Sequence, residues 1–328
     1  MRLLFSILFL SFYLFTSAQK KINHNRLFYF LSKDSLVGVK NVQGKIIIPA
    51  AYRNLGEYKN KQPITGNLIY LPPPQSDINL EPHSYGVVFN RKGEFLFAPF
   101  FSDNGSDYLS EGMMRYVKNK KVGFVNRKGE IVISAQYDYV NSFNYGIAAF
   151  CDGCKWEYKD EQSYVTGGEW GYVNYKGDIL RPVNKRNSLQ DQNIDSVKFL
   201  PYQFTYTLFE QKIIDSFNKL TNISKAHFVN YYSPLDSNER ILRYEIVERP
   251  SSFFPFYHIK GFEYSNNYGY YGDEIGDWDT NFFVSKNGKE YFVYDYYDNK
   301  IPLTQWLKKY VAKAREYLKI NPDALYKF

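Results

Sequence analysis

Short apolar runs alternate with polar turn residues through the first half of the chain. Residues 122–125 and 131–133 are two such runs, and the residues between them are Asn126, Arg127, Lys128, Gly129 and Glu130. Both runs are rich in Val and Ile, which favour strands. An Asn followed three residues later by a Gly with positive φ closes a hairpin as a type I turn with a G1 bulge. The sequence therefore predicts a β-hairpin here.

The same arrangement recurs four times along the chain. Each copy has a Gly three residues after an Asn, and these glycines are Gly44, Gly93, Gly129 and Gly177. They are separated by 49, 36 and 48 residues, which indicates a unit of about 36 residues with two insertions. Each unit is predicted to form about three strands. Because one such unit cannot bury its own apolar face, we expect neighbouring units to stack; an ordinary β-meander is the alternative.

The repeat resembles the WG-repeat family of bacterial proteins. The closest stretch is residues 110–148, and the Trp-Gly pair of the family is kept literally at Trp170 and Gly171. In the other units Val or Tyr stands in place of the Trp. The resemblance covers roughly residues 26–185 and implies a β-repeat scaffold. It implies no activity, and it leaves open whether the units close into a ring or form an open stack.

The C-terminal part of the chain changes its hydrophobic period. Apolar stripes over residues 209–220 and 303–318 predict two helices. Between them, residues 226–232, 241–247 and 256–264 are strand candidates, and Asn287-Gly288 predicts a type I′ hairpin. The fold class is therefore mainly β: an array of about four β-hairpin repeats, followed by a small α+β domain. We expect a WG-type repeat domain at residues 19–186 and an α+β domain at 187–328.

The first residues have the pattern of a secretory signal peptide. Arg2 is followed by an apolar stretch, residues 3–15, and by small residues that end at Ala18. This pattern predicts cleavage after Ala18 and a periplasmic or secreted protein; a retained N-terminal anchor is the alternative. The rest of the chain has no other long apolar run, so we do not expect an integral membrane protein.

Composition adds two points. Aromatic residues make up 19% of the chain, with 32 Tyr and 27 Phe, which again favours strands. The formal net charge is +7, which permits attraction to anionic surfaces. We find no dense Lys/Arg cluster, so nucleic acid is not an expected partner.

Candidate chemistry is sparse. Cys151 and Cys154 are the only cysteines, and in an oxidising compartment we expect a disulfide. Regulatory thiols, metal binding and redox catalysis are the alternatives. An acidic loop contains Asp273, Glu274, Asp277, Trp278 and Asp279; it is interpreted as solvated, with a cation or ligand site as the alternative. The motifs predict no catalytic residue, cofactor or metal site.

These observations favour an exported, non-enzymatic repeat scaffold that binds a protein or glycan at the cell envelope through exposed aromatic side chains. The alternative is a hydrolase with its site in the α+β domain and the repeats as a targeting module. That alternative requires a pocket within residues 200–328 where His227 or His258 meets a carboxylate. A third possibility is attachment to an anionic membrane surface.

Overall fold

A computed structural model describes residues 26–76, 81–102, 104–159, 162–195, 197–231, 234–264 and 280–328. The predicted signal peptide and the acidic loop at residues 273–279 lie outside these ranges. Contacts divide the chain into one unit of residues 1–77 and 89–94 and a second of residues 78–88 and 95–328. The assignment of residues 19–186 and 187–328 to two domains stays a prediction.

The first unit contains a four-stranded antiparallel sheet with the order β3-β2-β1-β4. Val37, Val39 and Ile48 are buried on this sheet. Its strands, and a further strand β5, are β1 (Leu27–Leu31), β2 (Val37–Asn41), β3 (Ile46–Tyr52), β4 (Pro63–Ile64) and β5 (Leu68–Leu71). Strand β6 (Val87–Asn90) begins in the second unit and ends in the first.

The second unit begins with two further sheets made of repeat strands. One includes β12, β11, β10 and β7 as neighbours in that order, the other has the order β13-β14-β15-β16, and β8 pairs with β9. Phe124, Phe143 and Val173 are buried in a core that contains side chains of both. The strands are β7 (Phe95–Pro99), β8 (Phe101–Ser102), β9 (Gly105–Ser106), β10 (Met113–Lys118), β11 (Lys121–Asn126), β12 (Ile131–Tyr137), β13 (Tyr139–Val140), β14 (Ile147–Lys159), β15 (Gln162–Asn174) and β16 (Ile179–Leu180).

One turn geometry recurs in the four repeats. In the third repeat the side chain of Asn126 accepts hydrogen bonds from the N–H groups of Lys128 (2.9 Å) and Glu130 (3.1 Å). The Gly129 N–H donates to the Asn126 carbonyl at 2.8 Å. Equivalent bonds are present at Asn41, Asn90 and Asn174. The four turn glycines have φ between 78° and 85°, which a side chain would make costly.

The glycine at the Trp-Gly position is required for a different reason: the next strand lies too close to leave room for a side chain. Opposite Gly123, strand β12 bulges, since Val122 pairs with Tyr137 whereas Phe124 pairs with Ile133. A Cβ on Gly123 would lie 2.5 Å from the Ile133 carbonyl oxygen. Strand β3 bulges in the same way opposite Gly38. The following strand therefore folds directly over this glycine in both units.

The C-terminal part supplies a five-stranded antiparallel sheet, β19 to β23 in sequence order, covered by helices. A small β17–β18 pair precedes it. The core contains Phe217, Ile259 and Phe282. The elements are β17 (Gln192–Asn193), β18 (Phe199–Leu200), α1 (Leu208–Asn218), α2 (Thr221–His227), a 3-10 turn (Phe228–Asn230), β19 (Arg243–Glu248), β20 (Phe256–Phe262), β21 (Asn281–Ser285), β22 (Tyr291–Tyr294), β23 (Lys300–Pro302) and α3 (Leu303–Ile320).

The fold class is confirmed: the protein is mainly β, with antiparallel sheets and a small helical region near the C-terminus. The two predicted helices form as α1 and α3. The strand predicted at residues 226–232 is wrong, because residues 226–230 form the end of α2 and a 3-10 turn, whose apolar side chains pack against α3. The type I′ turn is also wrong, since Gly288 has positive φ but Asn287 does not. There the hydroxyl of Ser285 accepts two backbone N–H groups, as Asn does in the repeats.

Buried carboxylates join the C-terminal part to the third and fourth repeats within the second unit. Arg127, in the third repeat turn, makes a bidentate ion pair with Glu248 of β19 at 2.8 Å. Glu111 accepts the N–H groups of Tyr145 and Gly146, both at 2.9 Å, and the hydroxyl of Tyr175, and the ammonium of Lys260 in β20 lies 3.9 Å from its carboxylate. These charges are partnered, as burial requires.

We predict that Gly123→Ala destabilises the protein by about 2 kcal/mol, because the new methyl group collides with backbone atoms of β12 that cannot rotate away. Gly105→Ala is the matched control: it meets nothing within 4 Å, so its effect should stay within about 0.5 kcal/mol. Urea denaturation followed by circular dichroism measures both. Equal stability of the two variants would contradict the close approach at Gly123.

Candidate functional site

An open cleft lies on the repeat part of the second unit. Its volume is about 1160 Å³, slightly above the roughly 300–1,000 Å³ that is typical of ligand-binding clefts. Aromatic rings and small hydroxyl or amide side chains share the lining. The lining residues are His83, Ser84, Phe100, Phe101, Ser102, Tyr108, Arg115, Tyr139, Asn141, Ser142, Ala149, Trp156, Tyr158, Ser163, Tyr164, Val165, Trp170, Tyr172 and Ile194.

A buried ion pair lies beneath the cleft. The guanidinium of Arg115 bonds the carboxylate of Asp107 at 2.7 Å, and their side chains are only 7% and 1% exposed. The same guanidinium stacks over Phe100 at 4.5 Å and donates to the Val140 carbonyl at 3.3 Å. Burial by itself lowers the pKa of Arg115, but Asp107 outweighs burial and raises it. The positive charge is thus held in the floor and is already paired.

Trp156 is the centre of the aromatic wall. Its indole stacks on His83 at 4.1 Å with an angle of 14° between the planes. It also contacts Phe100 at 6.1 Å and Tyr139 at 5.5 Å. Tyr139 in turn contacts Trp170 at 6.0 Å. The two indoles therefore flank one tyrosine ring and face the same cleft.

The rim of the cleft is exposed to solvent. Tyr158 is 72% exposed, Trp170 51% and Tyr108 48%. A single exposed aromatic ring is common on protein surfaces. A group of such rings at a concave surface is typical of a binding site, because together they leave a sizeable apolar area in contact with water.

The position of His83, which lies outside the regular strands, is set by its backbone conformation and by hydrogen bonds of the surrounding loop. Its φ is 62°, an uncommon conformation for a residue with a side chain. The Phe101 N–H donates to the His83 carbonyl at 2.8 Å, and the carboxylate of Glu81 accepts the N–H groups of Asn119 and Lys120. These bonds tie residues 81–84 to the neighbouring strands. The imidazole is thereby presented flat to Trp156.

The electrostatics of the lining favour neutral groups at pH 7. Burial lowers the pKa of His83 below its ordinary value of 6.5, so the imidazole is uncharged at neutral pH. Burial also raises the pKa of Tyr172. At the rim, a hydrogen bond to Glu157 raises the pKa of the Tyr164 hydroxyl. The cleft thus offers ring faces, hydroxyls and amides, which bind uncharged polar ligands.

Cys151 and Cys154 lie in β14 next to this cleft and are joined by a disulfide. Asp138 accepts the N–H of Gly153, between them, at 2.6 Å and the ammonium of Lys121 at 2.6 Å. Burial raises the pKa of Asp138, but these bonds outweigh burial and lower it. The turn glycines at positions 44, 93, 129 and 177 do not line the cleft.

The histidines of the C-terminal part lie elsewhere. His227 Nε2 bonds the carboxylate of Glu263, which also accepts the hydroxyl of Tyr231. The side chains of His227 and Glu263 are 8% and 17% exposed. His258 bonds Asn281 at 2.7 Å. Among the residues that the structure describes, no group of three His, Cys, Asp or Glu side chains could hold a metal ion.

Sequence reasoning did not identify the residues that form this cleft. Phe101 and Tyr137 each follow a repeat-turn glycine by eight residues, but Tyr137 is buried against Phe150 of the neighbouring sheet. Phe101, at the equivalent position, is instead 40% exposed and lines the cleft. The period-2 spacing of Trp156 and Tyr158 was an available signal, because it places both rings on one face of a strand.

Comparison with protein-family models gives a match within the third repeat. The profile described as "WG containing repeat" matches residues 123–156. The chain contains a WG-type repeat. The matched repeat runs from the close-approach Gly123 to the cleft residue Trp156, so it includes β12, β13 and both cysteines. No curated protein and no solved structure matches the chain. In the described part of the protein, no helix has both the length and the apolar character needed to cross a membrane.

We predict that Asp107→Asn destabilises this WG-type repeat region by about 3–5 kcal/mol, because it leaves the charge of Arg115 buried and uncompensated. The matched control is Glu290→Gln, which removes an exposed ion pair with Lys300 at the same kind of distance, 2.6 Å, and should cost less than about 1 kcal/mol. Chemical denaturation measures both. A similar loss of unfolding free energy in the two variants would show that groups other than Asp107 stabilise the charge of Arg115.

Proposed function

We propose that the protein is an exported, non-enzymatic repeat scaffold that binds a glycan at the cell envelope, and that the aromatic cleft is its binding site. The observation that carries the proposal is the grouping of Trp156, Trp170 and Tyr158 around one open cleft of about 1160 Å³. Sugar rings present flat C–H faces that stack on such aromatic rings, and hydroxyls at their edges. Both features have counterparts in the lining.

The polar groups of the lining support a neutral saccharide over a charged ligand. Ser84, Ser102, Asn141, Ser142 and Ser163 supply small donors and acceptors between the rings. The lining cation, Arg115, is already paired with Asp107. A charged ligand would gain little from this arrangement, whereas a hydroxyl-rich one can replace water at each polar group.

We predict that a soluble oligosaccharide binds the mature full chain, with cellohexaose, maltohexaose, chitohexaose and peptidoglycan fragments as the probes. Trp156→Ala and Trp170→Ala should each weaken binding about tenfold, the loss of one stacking contact. The control is Tyr296→Ala, which removes a ring that is 90% exposed but outside the cleft. Isothermal titration calorimetry measures the affinities.

Binding of none of these probes at millimolar concentration would overturn the glycan proposal. So would an equal loss of affinity in Tyr296→Ala, because binding would then not depend on the cleft. A protein cross-linked at Trp156 or Trp170 and not displaced by any sugar probe would also count against it, since the cleft would then belong to a protein interface.

Export is the second part of the proposal, and it rests on the N-terminal sequence. We predict that the mature protein begins at Gln19, as expected for cleavage after Ala18. N-terminal sequencing of the protein recovered from the cell envelope or medium measures this. Ala18→Arg should block cleavage, whereas Ala51→Arg, at an exposed position away from the signal, should not alter the N-terminus. A full-length chain that retains Met1 in the cytoplasm would contradict export.

A hydrolase in the C-terminal part is the second candidate. The contact between His227 and Glu263 favours it, because a carboxylate can orient a histidine for proton transfer. Both side chains are largely buried, however, and neither lines the cleft. Their contacts with Tyr231 and Phe228 are those of a packed core pair.

A further inference from the structure

The disulfide of β14 lies at an irregularity of the strand. In a regular strand, residues three apart are about 10 Å apart and point to opposite faces. The Cα atoms of Cys151 and Cys154 are 6.0 Å apart. The strand must therefore leave its regular pleat between them. Because the bond closes a loop of so few residues, it removes little entropy from the unfolded chain, and its effect is local.

The opposite strand is irregular at the same place. The pairing of β14 with β15 skips Gly153 and Gly168, although the register on both sides is the same. Gly153, Gly167 and Gly168 have φ of 76°, 68° and 67°. A Cβ on Gly168 would lie 2.5 Å from the Cys151 sulfur. The disulfide thus packs directly on the backbone of β15.

This irregularity changes which side chains face the cleft. Before it, the odd-numbered Ala149 and its partner Tyr172 line the cleft; after it, the even-numbered Trp156 and its partner Val165 do so. In an uninterrupted pleat Trp156 and Trp170 would point to opposite faces of the hairpin. Here both contact the ring of Tyr139. We call residues 155–159 and 162–166, beyond the irregularity, the distal arm.

We propose that the Cys151–Cys154 disulfide is a reducible lock that holds the distal arm with Trp156 and Tyr158 facing the cleft. Its effect on ligand binding rests on the proposed glycan function; its effect on the arm does not. Besides the disulfide, the N–H of Gly153 bonds Asp138, and Trp156 stacks on His83. Without the covalent bond, non-covalent contacts such as these and the ring contacts of Trp156 with Phe100 and Tyr139 oppose a return of the arm to the regular pleat.

A thiol reductant such as dithiothreitol opens the lock by thiol–disulfide exchange. Cys154 is partly exposed whereas Cys151 is buried, so the reductant thiolate attacks the sulfur of Cys154. The Cys151–Cys154 bond breaks, a mixed disulfide forms at Cys154, and the Cys151 sulfur leaves and takes up a proton. The second thiol of dithiothreitol then attacks the dithiothreitol sulfur of the mixed disulfide. The Cys154 sulfur leaves and takes up a proton. Two electrons pass to the protein and the reductant becomes a cyclic disulfide.

Hydrogen exchange of the mature full chain tests the lock without any ligand. Reduction should speed amide exchange in the distal arm about tenfold, while β10 and β11 keep their protection. Cys151→Ala/Cys154→Ala should behave like reduced wild type and should not respond to dithiothreitol. Tryptophan emission that responds to reduction in wild type, but much less in Trp156→Phe, gives a second readout. Reduction of folded wild type provides the test if the double variant does not fold.

The proposal is overturned if the distal arm exchanges at the same rate in both redox states. It is also overturned if β10 and β11 loosen equally, because the disulfide would then stabilise the whole repeat region. A glycan probe that binds oxidised protein should bind reduced protein about fivefold more weakly; equal affinity would overturn the control of binding. If the arm loosens but oxidised protein binds no sugar, the lock stands and the glycan proposal fails.

Discussion

In the first and third repeats, the strand that follows the turn folds over a glycine of the preceding strand, and this close approach determines the shape of both repeats. At Gly123 the backbone of β12 lies where a Cβ would be. The bulge that results gives β12 extra residues opposite β11. Those extra residues carry the chain from the apolar face of one hairpin to Tyr137, whose ring is buried against Phe150 of the next sheet. In the third repeat the close approach thus places Tyr137 against the next sheet, where it helps to cover an apolar face that one hairpin cannot bury alone.

Carboxylates with several partners recur in the C-terminal part, both inside it and where it contacts the repeats. Glu245 shows the chemistry most fully: it is buried and accepts the hydroxyls of Tyr202 (2.6 Å) and Tyr264 (2.9 Å), the hydroxyl of Tyr206, and the amide of Gln190 (2.9 Å). Burial raises the pKa of this carboxyl despite these bonds. The many tyrosines thus have two roles: their rings pack on the strands, and their hydroxyls donate hydrogen bonds to buried carboxylates.

Local patterns predicted the local structure. The Asn-to-Gly spacing indicated the hairpins, and the 3.6-residue stripes indicated α1 and α3, because both signals depend on neighbours in sequence. The segment at 226–232 was mistaken for a strand because a short apolar run fits either a buried strand or a buried helix. The cleft could not be predicted, because it joins His83, Tyr139 and Trp156 from separate segments. Its shape also depends on three glycines of β14 and β15 that place Trp156 on an unexpected face.

The ion pair between Arg127 and Glu248 has a consequence for how such a chain can lengthen during evolution. A turn residue of the third repeat is bound to a strand that lies more than a hundred positions further along. Duplicating a unit between this turn and the C-terminal sheet would pull the two partners apart and leave each charge without its counterpart. A unit added upstream of Arg127 would leave this ion pair intact, so the contact makes the two ends of the array unequal as places for growth.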